Sequence, residues 1–252
     1  MCQNVVVENC VGRSSASGLK FGTVSRGGFR NFKVKNIKIY DTYRSAITFA
    51  AVDGALIENI EVDGVRSIHT GNVIYLRIGD RWSAGKKPVM KNITIKNVYA
   101  EIPMDKPDAG YNYEGPIEDL PRNISPASIV GLPEYKIQNV TLRNIEIVSP
   151  GGGNPYYAYR GLTPAELDSI PEMATSYPEF SQFKELPAWG FYIRHAEGIT
   201  FDNVTFKALK KDYRPAIVMD DAGEVTFKDV RFIEPEGEGK KQIFPYKSKV
   251  IK

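Results

Sequence analysis

Asn92-Ile-Thr-Ile-Lys-Asn97 is the stretch that decides the fold, because close variants of it recur along the 252-residue chain. Its apolar residues alternate with polar ones, which is typical of a β-strand with one buried face. The other copies are Asn4-Val-Val-Val-Glu-Asn9, Asn31-Phe-Lys-Val-Lys-Asn36, Ala55-Leu-Ile-Glu-Asn59, Asn139-Val-Thr-Leu-Arg-Asn144, Gly198-Ile-Thr-Phe-Asp-Asn203 and Glu224-Val-Thr-Phe-Lys-Asp229. A repeat of this kind indicates units that bury their apolar side chains only against their neighbours.

A second short strand follows most copies of the repeat and alternates in the same way. These second strands are Gly18-Leu-Lys-Phe-Gly-Thr23, Ser45-Ala-Ile-Thr-Phe49, Asn72-Val-Ile-Tyr-Leu-Arg-Ile-Gly79, Ser128-Ile-Val130, Gly190-Phe-Tyr-Ile-Arg-His195 and Pro215-Ala-Ile-Val-Met-Asp220. Paired strands joined by Gly, Asn and Ser turns predict an all-β fold, a parallel β-helix (solenoid) of about seven coils. The last Asn of each copy is expected at the same turn of every coil. There it would adopt a left-handed backbone and hydrogen-bond to its stacked neighbours.

The repeat runs nearly end to end, so we expect one β-helix domain over residues 1–252. Uneven spacing of the repeats predicts long loop insertions near 79–91, 101–127 and 149–188, and the charged segment 233–252 is expected to cap the last coil. The third insertion carries a helix signal, with Thr163 as N-cap and Glu166 three residues later. Aromatic residues in the insertions are expected to form walls beside one face of the solenoid: Trp82, Tyr111, Tyr113, Tyr156, Tyr157, Tyr159 and Trp189.

Composition excludes several classes of protein. The 33 Lys and Arg residues barely exceed the 30 Asp and Glu residues, and no basic run is present, so nucleic-acid binding is not expected. Cys2 and Cys10 are too few for a disulfide framework. The sequence has no apolar run of about 18 residues, so no membrane span is expected. No metal-ligand spacing or Gly-rich phosphate loop appears, so we expect neither a metal nor a cofactor.

Alternation in the second strands sorts their side chains into an inward and an outward set. The outward set is predicted to be Lys20, Thr48, Tyr75, Arg77, Tyr192, Arg194, Val218 and Asp220. Cations and aromatic rings on one exposed strip suit an acidic polysaccharide or oligosaccharide, because Arg pairs with carboxylates bidentately. We therefore predict substrate binding by Lys20, Tyr75, Arg77, Tyr192 and Arg194. The alternative is that these charges only keep an exposed sheet soluble.

No catalytic residue is assigned from the sequence. The pair Asp220-Asp221 precedes Ala-Gly and predicts a turn rather than a catalytic acid. His69 and His195 are the only histidines, and a polar role at the edge of a strand is expected for His195.

Several stretches resemble glycoside hydrolase family 28, the polygalacturonases and related pectin-cleaving enzymes. They are Ser14-Ser-Ala-Ser-Gly-Leu-Lys-Phe-Gly-Thr23, Arg26-Gly-Gly-Phe-Arg-Asn31, Tyr75-Leu-Arg-Ile-Gly79 and Pro187-Ala-Trp-Gly-Phe-Tyr192. The resemblance covers the C-terminal part of such an enzyme. It implies a right-handed parallel β-helix, inverting hydrolysis of pectin-type (uronic-acid-containing) polysaccharide, and an extracytoplasmic (periplasmic or secreted) location.

The chain departs from the family at its catalytic positions. The resemblance places the family's acids before the Cys10 coil, upstream of Met1, and Ser17 stands where the family has His. We therefore expect the C-terminal portion of a polygalacturonase-like hydrolase that is inactive as this chain, and whether to class the chain as an enzyme stays open. One alternative is a non-catalytic β-helix that binds acidic polysaccharide. Another is a structural or assembly module, self-associating through its uncapped N-terminal coil.

Overall fold

The computed structural model describes residues 1–104, 125–153, 161–183, 185–235 and 240–251. Parts of the predicted insertions 101–127 and 149–188, and of the predicted cap 233–252, lie outside these ranges. So do five of the predicted wall residues, namely Tyr111, Tyr113, Tyr156, Tyr157 and Tyr159.

The described chain is almost entirely β-structure. Its elements are β1 (Cys2–Ser14), β2 (Leu19–Phe21), β3 (Phe29–Ala51), β4 (Leu56–Ile78), β5 (Val89–Glu101), β6 (Ala127–Val130), β7 (Ile137–Gly151), α1 (Pro164–Asp168), a 3₁₀-helix (Phe180–Phe183), β8 (Phe191–Lys210), β9 (Ile217–Ile233), β10 (Ile243–Tyr246) and β11 (Val250–Ile251). The strands pair in parallel, in the order β1-β3-β4-β5-β7-β8-β9-β10. Strands β2, β6 and β11 lie off this path and pair with β3, with β4 and β8, and with β9.

The strand pairing closes on itself, and this corrects the predicted fold. Strand β4 pairs with β5, β5 with β7 and β7 with β8, while β6 pairs with both β8 and β4. The five strands form a closed parallel barrel, with long strands packed outside it. The prediction of a right-handed parallel β-helix, a solenoid of about seven coils, is therefore wrong.

The barrel closes because the long strands β4 and β8 each pair with two different strands along their length. One section of β4 pairs with β5 from Leu56 to Ile68, and a later section pairs with β6 from Tyr75 to Arg77. Strand β8 pairs likewise with β6 through its first residues and with β7 through the rest. Strand β6 has only four residues, which is too short for the sequence pattern to indicate that it pairs with both β4 and β8.

The main core contains the inward set of side chains, as the alternation predicts. On β5, Met90, Ile93 and Ile95 are buried, whereas their neighbours Lys91 and Thr94 are half-buried. The inward residues of the second strands are fully buried at 0% exposure in β3, β4, β8 and β9: Ile47, Phe49, Ile74, Leu76, Phe191, Ile193, Ile217 and Met219. Burying branched and aromatic side chains in this pattern is the main stabilising contribution that the repeat makes.

Ladders of asparagine side chains cross the strands, as the repeat predicts. Asn139 donates from Nδ2 to Oδ1 of Asn92 at 3.1 Å, and Asn144 donates in the same way to Asn97 at 3.1 Å. The backbone of these residues is left-handed, with φ between 52° and 57°. An Asn tolerates this conformation better than most residues, and here its amide also bonds its neighbours.

The register differs from the sequence prediction at one copy of the repeat. Asn59 and Asn36 each end a copy of the repeat, so the sequence predicted a hydrogen bond between them. Asn59 donates instead to Asn31, the first residue of the preceding copy. Gly64, with φ of 82°, takes the place beside Asn36 instead. Asn97 then bonds Oδ1 of Asp63 at 2.7 Å.

Candidate functional site

Residues 161–183, here called the cover segment, lie over the outward face of β4, β6 and β8. The segment opens with the predicted helix start, where the Thr163 hydroxyl accepts from the backbone of Glu166 and the Glu166 carboxylate accepts from the backbone of Thr163. Its apolar side chains form a second core with outward residues of the sheet: Leu167, Ile170, Phe180 and Phe183 against Tyr75, Val130, Tyr192 and Val218. The outward face of these strands is therefore a buried interface.

The cover segment buries four of the five predicted binding residues. Tyr75 and Arg77 are 2% exposed, Tyr192 is 0% exposed and Arg194 is 6% exposed. The predicted exposed strip is wrong at these positions, because the insertion folds onto the sheet instead of standing beside it. A polymer in solvent does not reach these side chains.

The two buried arginines hold the cover segment on the sheet. Arg77 donates to the carbonyl oxygens of Gly131 at 3.3 Å and Met173 at 3.0 Å, and burial lowers the pKa of its guanidinium. Arg194 donates to the carbonyl oxygen of Ile170 at 2.6 Å. Since a charged donor to a buried carbonyl makes a strong hydrogen bond, both residues act as anchors.

A cluster of ion pairs also connects the cover segment to strands β8 and β9. Nε2 of His195 lies 3.0 Å from Oε1 of Glu172, and its Nδ1 lies 2.8 Å from Oδ2 of Asp221. Asp221 also accepts from Nζ of Lys136 at 2.9 Å, and Asp220 lies 3.1 Å from Nε of Arg194. Each carboxylate of the cluster faces a cation or a histidine, so we interpret the cluster as a latch between sheet and cover segment.

Burial and hydrogen bonding set the ionisation of this latch. Burial lowers the pKa of His195, but its hydrogen bonds to Glu172 and Asp221 outweigh burial and raise it overall. Burial raises the pKa of Asp220. Asp220 and Asp221 lie inside strand β9, where Asp221 has a left-handed backbone with φ of 50°, and not in the separate turn that the sequence predicted.

Lys20 is the predicted binding residue that stays partly exposed, and it contacts a residue that sequence reasoning missed. Its Nζ donates to the hydroxyl oxygen of Tyr177 at 3.0 Å, and Nη1 of Arg44 donates to the same oxygen at 3.2 Å. Thr23 approaches this oxygen at 3.5 Å. Tyr177 belongs to the cover segment, 157 residues from Lys20, and no sequence pattern marks so distant a pair.

The cations around Tyr177 change its acidity. Partial burial would raise the pKa of the phenol, but hydrogen bonds from Lys20 and Thr23 and the charge of Lys20 lower it to about 8. Donors to the oxygen favour the ionised form, which explains the direction. A phenol with this pKa ionises near neutral pH.

Arg81 lies beside both the Tyr177 ring and an exposed indole ring, and two further cations lie next to that indole residue. Cζ of Arg81 lies 3.8 Å from the ring centre of Trp82 and 5.5 Å from that of Tyr177. Arg26 donates to the carbonyl oxygen of Trp82 at 3.0 Å, and Lys86 donates to that of Arg26 at 3.5 Å. We call this group the Tyr177 patch, and its members are Lys20, Arg26, Arg44, Arg81, Lys86, Trp82 and Tyr177.

The patch is strongly cationic at its surface. The two carboxylates that pair with its arginines, Glu179 with Arg44 and Asp53 with Arg81, are buried at 3% and 0% exposure. Trp82 is 55% exposed and Tyr177 is 41% exposed, so the rings face solvent among the cations. Of the predicted wall residues, Trp82 is thus an exposed member of the patch, whereas Trp189 is buried in the main core.

This arrangement can bind an anion but offers little for inverting hydrolysis. That reaction needs one carboxylic acid and one carboxylate base, roughly 6.5–9.5 Å apart and accessible to substrate. The two carboxylates that pair with arginines of the patch, Glu179 and Asp53, are buried. Where the family resemblance expects a histidine, Ser17 shares a 3.0 Å hydrogen bond with Thr48.

A groove of about 980 Å³ lies elsewhere, across β3, β4, β5, β7, β8 and β9. Its lining includes Asn97 and Asn144 of the asparagine ladder, whose amides hydrogen-bond to one another. It also carries both signs of charge, with Lys35 and Glu146 among its residues. We therefore assign the groove to the structural ladder and take the Tyr177 patch as the candidate site.

A scan against protein-family models, a search of curated proteins and a search of solved structures found no match for this chain. The likeness to glycoside hydrolase family 28 therefore stays a prediction. Within the residues that the structure describes, no helix is long and apolar enough to cross a membrane. Among the same residues, no cluster of His, Cys, Asp and Glu side chains could hold a metal ion.

Proposed function

We propose that this chain binds acidic, uronate-containing polysaccharide at the Tyr177 patch. The observation that carries the proposal is the convergence of Lys20 and Arg44 on one exposed phenol oxygen, with an exposed indole ring nearby. Carboxylates of a uronate chain are complementary to such cations, and aromatic rings offer flat apolar faces to sugar rings.

Free cations support the proposal further. Among the described residues, neither Arg26 nor Lys86 has a carboxylate partner, and both donate only to main-chain oxygens. The Nζ of Lys20 carries three donors and gives one to the phenol oxygen of Tyr177, so a uronate carboxylate can accept from another. Binding would therefore give these cations charged acceptors, without breaking a buried ion pair.

The proposal keeps the substrate class of the family resemblance and omits its hydrolysis. The patch itself contains no carboxylate, and Glu179 and Asp53 are paired with its arginines, so we propose no inverting hydrolysis by the residues of this patch.

Calorimetric titration with oligogalacturonate tests the proposal. We expect saturable binding to oligogalacturonate and at least tenfold weaker binding to its methyl ester, which has the same sugar rings without the charge. Equal affinity for the two ligands, or no binding to either, would overturn the proposal.

A further inference from the structure

We propose that the Tyr177 patch also cleaves the uronate chain, by β-elimination, with the hydroxyl oxygen of Tyr177 taking the proton. This inference rests on the proposed binding of uronates at the same patch. The residues present match the needs of elimination, which uses a base and a cation beside the uronate carboxylate and needs no catalytic carboxylate pair.

The geometry around Tyr177 supplies the base. Its oxygen accepts from Lys20 at 3.0 Å and from Arg44 at 3.2 Å, and both donors stabilise a negative charge on that oxygen. A phenol pKa of about 8 agrees with this arrangement. A base ionised close to the working pH takes a proton efficiently, so Tyr177 is suited to the role.

The same cations stabilise the charge that develops on the substrate. Removal of hydrogen from C5 of a uronate places negative charge on C5 and its carboxylate. Arg44 lies 3.2 Å from the phenol oxygen, so a carboxylate beside this guanidinium would hold C5 near the base. Pre-positioned positive charge of this kind lowers the barrier to proton removal.

The step balances without any further reactant. The C5–H bond breaks, its proton moves to the Tyr177 oxygen, and its electron pair forms the C4=C5 double bond. The C4–O bond to the neighbouring sugar breaks on the ring face opposite to the C5 hydrogen, and the leaving oxygen takes a proton from solvent water. The phenol then gives its proton back to solvent, which restores the ionised oxygen beside Lys20.

Ultraviolet absorbance of the C4=C5 double bond conjugated to the carboxylate reports the reaction directly. The full chain is incubated with polygalacturonate at pH values below and above the Tyr177 pKa of about 8. We expect absorbance to rise with time, faster at the higher pH, because the ionised phenol is the base. Galactan, which lacks the carboxylate and hence the acidic C5 hydrogen, should give no signal.

The Tyr177→Phe variant separates a catalytic role from a structural one. It keeps the ring but removes the proton acceptor, so we expect a loss of roughly 100-fold or more in rate with oligogalacturonate binding retained. A rate unchanged in Tyr177→Phe, or no absorbance rise from a wild-type chain that binds the polymer, overturns the elimination. The second outcome leaves the binding proposal standing, whereas absence of binding removes both.

Discussion

Nη2 of Arg194 lies 2.7 Å from Oε1 of Glu172, so an ion pair joins β8 to the cover segment. The side chain of Arg194 is 8% exposed, and its Nε also faces the buried carboxylate of Asp220. Tyr177 lies on the cover segment, so the ion pair that holds this segment on the sheet also helps to position the candidate site.

Replacement of Arg194 by Met should therefore destabilise the protein substantially. The substitution leaves Asp220 buried without its cation, and breaking a buried pair costs about 3–5 kcal/mol in the free energy of unfolding. Arg143 offers a matched control, since it pairs with Asp202 at 2.8 Å but is 51% exposed. Arg143→Met should cost less than about 1 kcal/mol in urea unfolding. Similar losses for the two variants would contradict the latch.

The latch should also make stability depend on pH. The pKa of His195 is raised in the folded state, so its protonation stabilises the fold fully below the unfolded-state pKa of about 6.5. This contribution is lost as pH rises through the folded-state pKa. The free energy of unfolding of wild type and of His195→Gln can be measured in urea at pH values from below about 6.5 upward. The difference between the two proteins should shrink as the pH rises. A difference that grows with pH would show that the sign is wrong.

Two substitutions in the asparagine ladder separate what the left-handed backbone and what the side-chain hydrogen bonds contribute to stability. Asn144 has φ of 52°, donates to Asn97 and accepts from Asn203. Asn144→Ala loses the bonds and strains the backbone, at about 2–3 kcal/mol, whereas Asn144→Gly loses the bonds but tolerates the left-handed backbone. Urea unfolding should thus rank Ala below Gly. The opposite order would mean that conformation is not what the position requires.

Strand β1 should mediate association between copies of the chain. Within the described residues it pairs only with β3, and Val6 and Val11 are 61% and 68% exposed. An unpaired strand edge with exposed apolar side chains favours pairing with another chain, and charge on the strand opposes it. Light scattering should report a species larger than the monomer for wild type and a monomer for Val6→Lys. A monomeric wild type would exclude this interface.

Much of the local structure could be predicted from the sequence, because alternation and left-handed Asn residues act locally. The strand positions, the burial of Ile93 and Ile95, the ladders and the helix start at Thr163 all follow from neighbours within a few residues. The closure of the barrel does not, since it depends on β6 pairing with two strands distant in sequence.

The candidate site was predicted only in part for the same reason. Alternation placed Tyr75 and Arg77 on the outward face correctly, but it does not show whether an insertion covers that face. Lys20 remained accessible, while its partner Tyr177, and Arg44, which donates to the same oxygen, come from other elements. Contacts between residues more than 100 positions apart leave no periodic signal in one sequence.

The most direct measurement compares two lysines in a titration with oligogalacturonate. Lys20 belongs to the Tyr177 patch, and Lys35 is an exposed lysine that lines the groove along the asparagine ladder. Loss of one charged hydrogen bond should weaken binding about tenfold in Lys20→Ala, while Lys35→Ala should bind as wild type does. Unchanged affinity in Lys20→Ala together with weakened binding in Lys35→Ala would contradict the account.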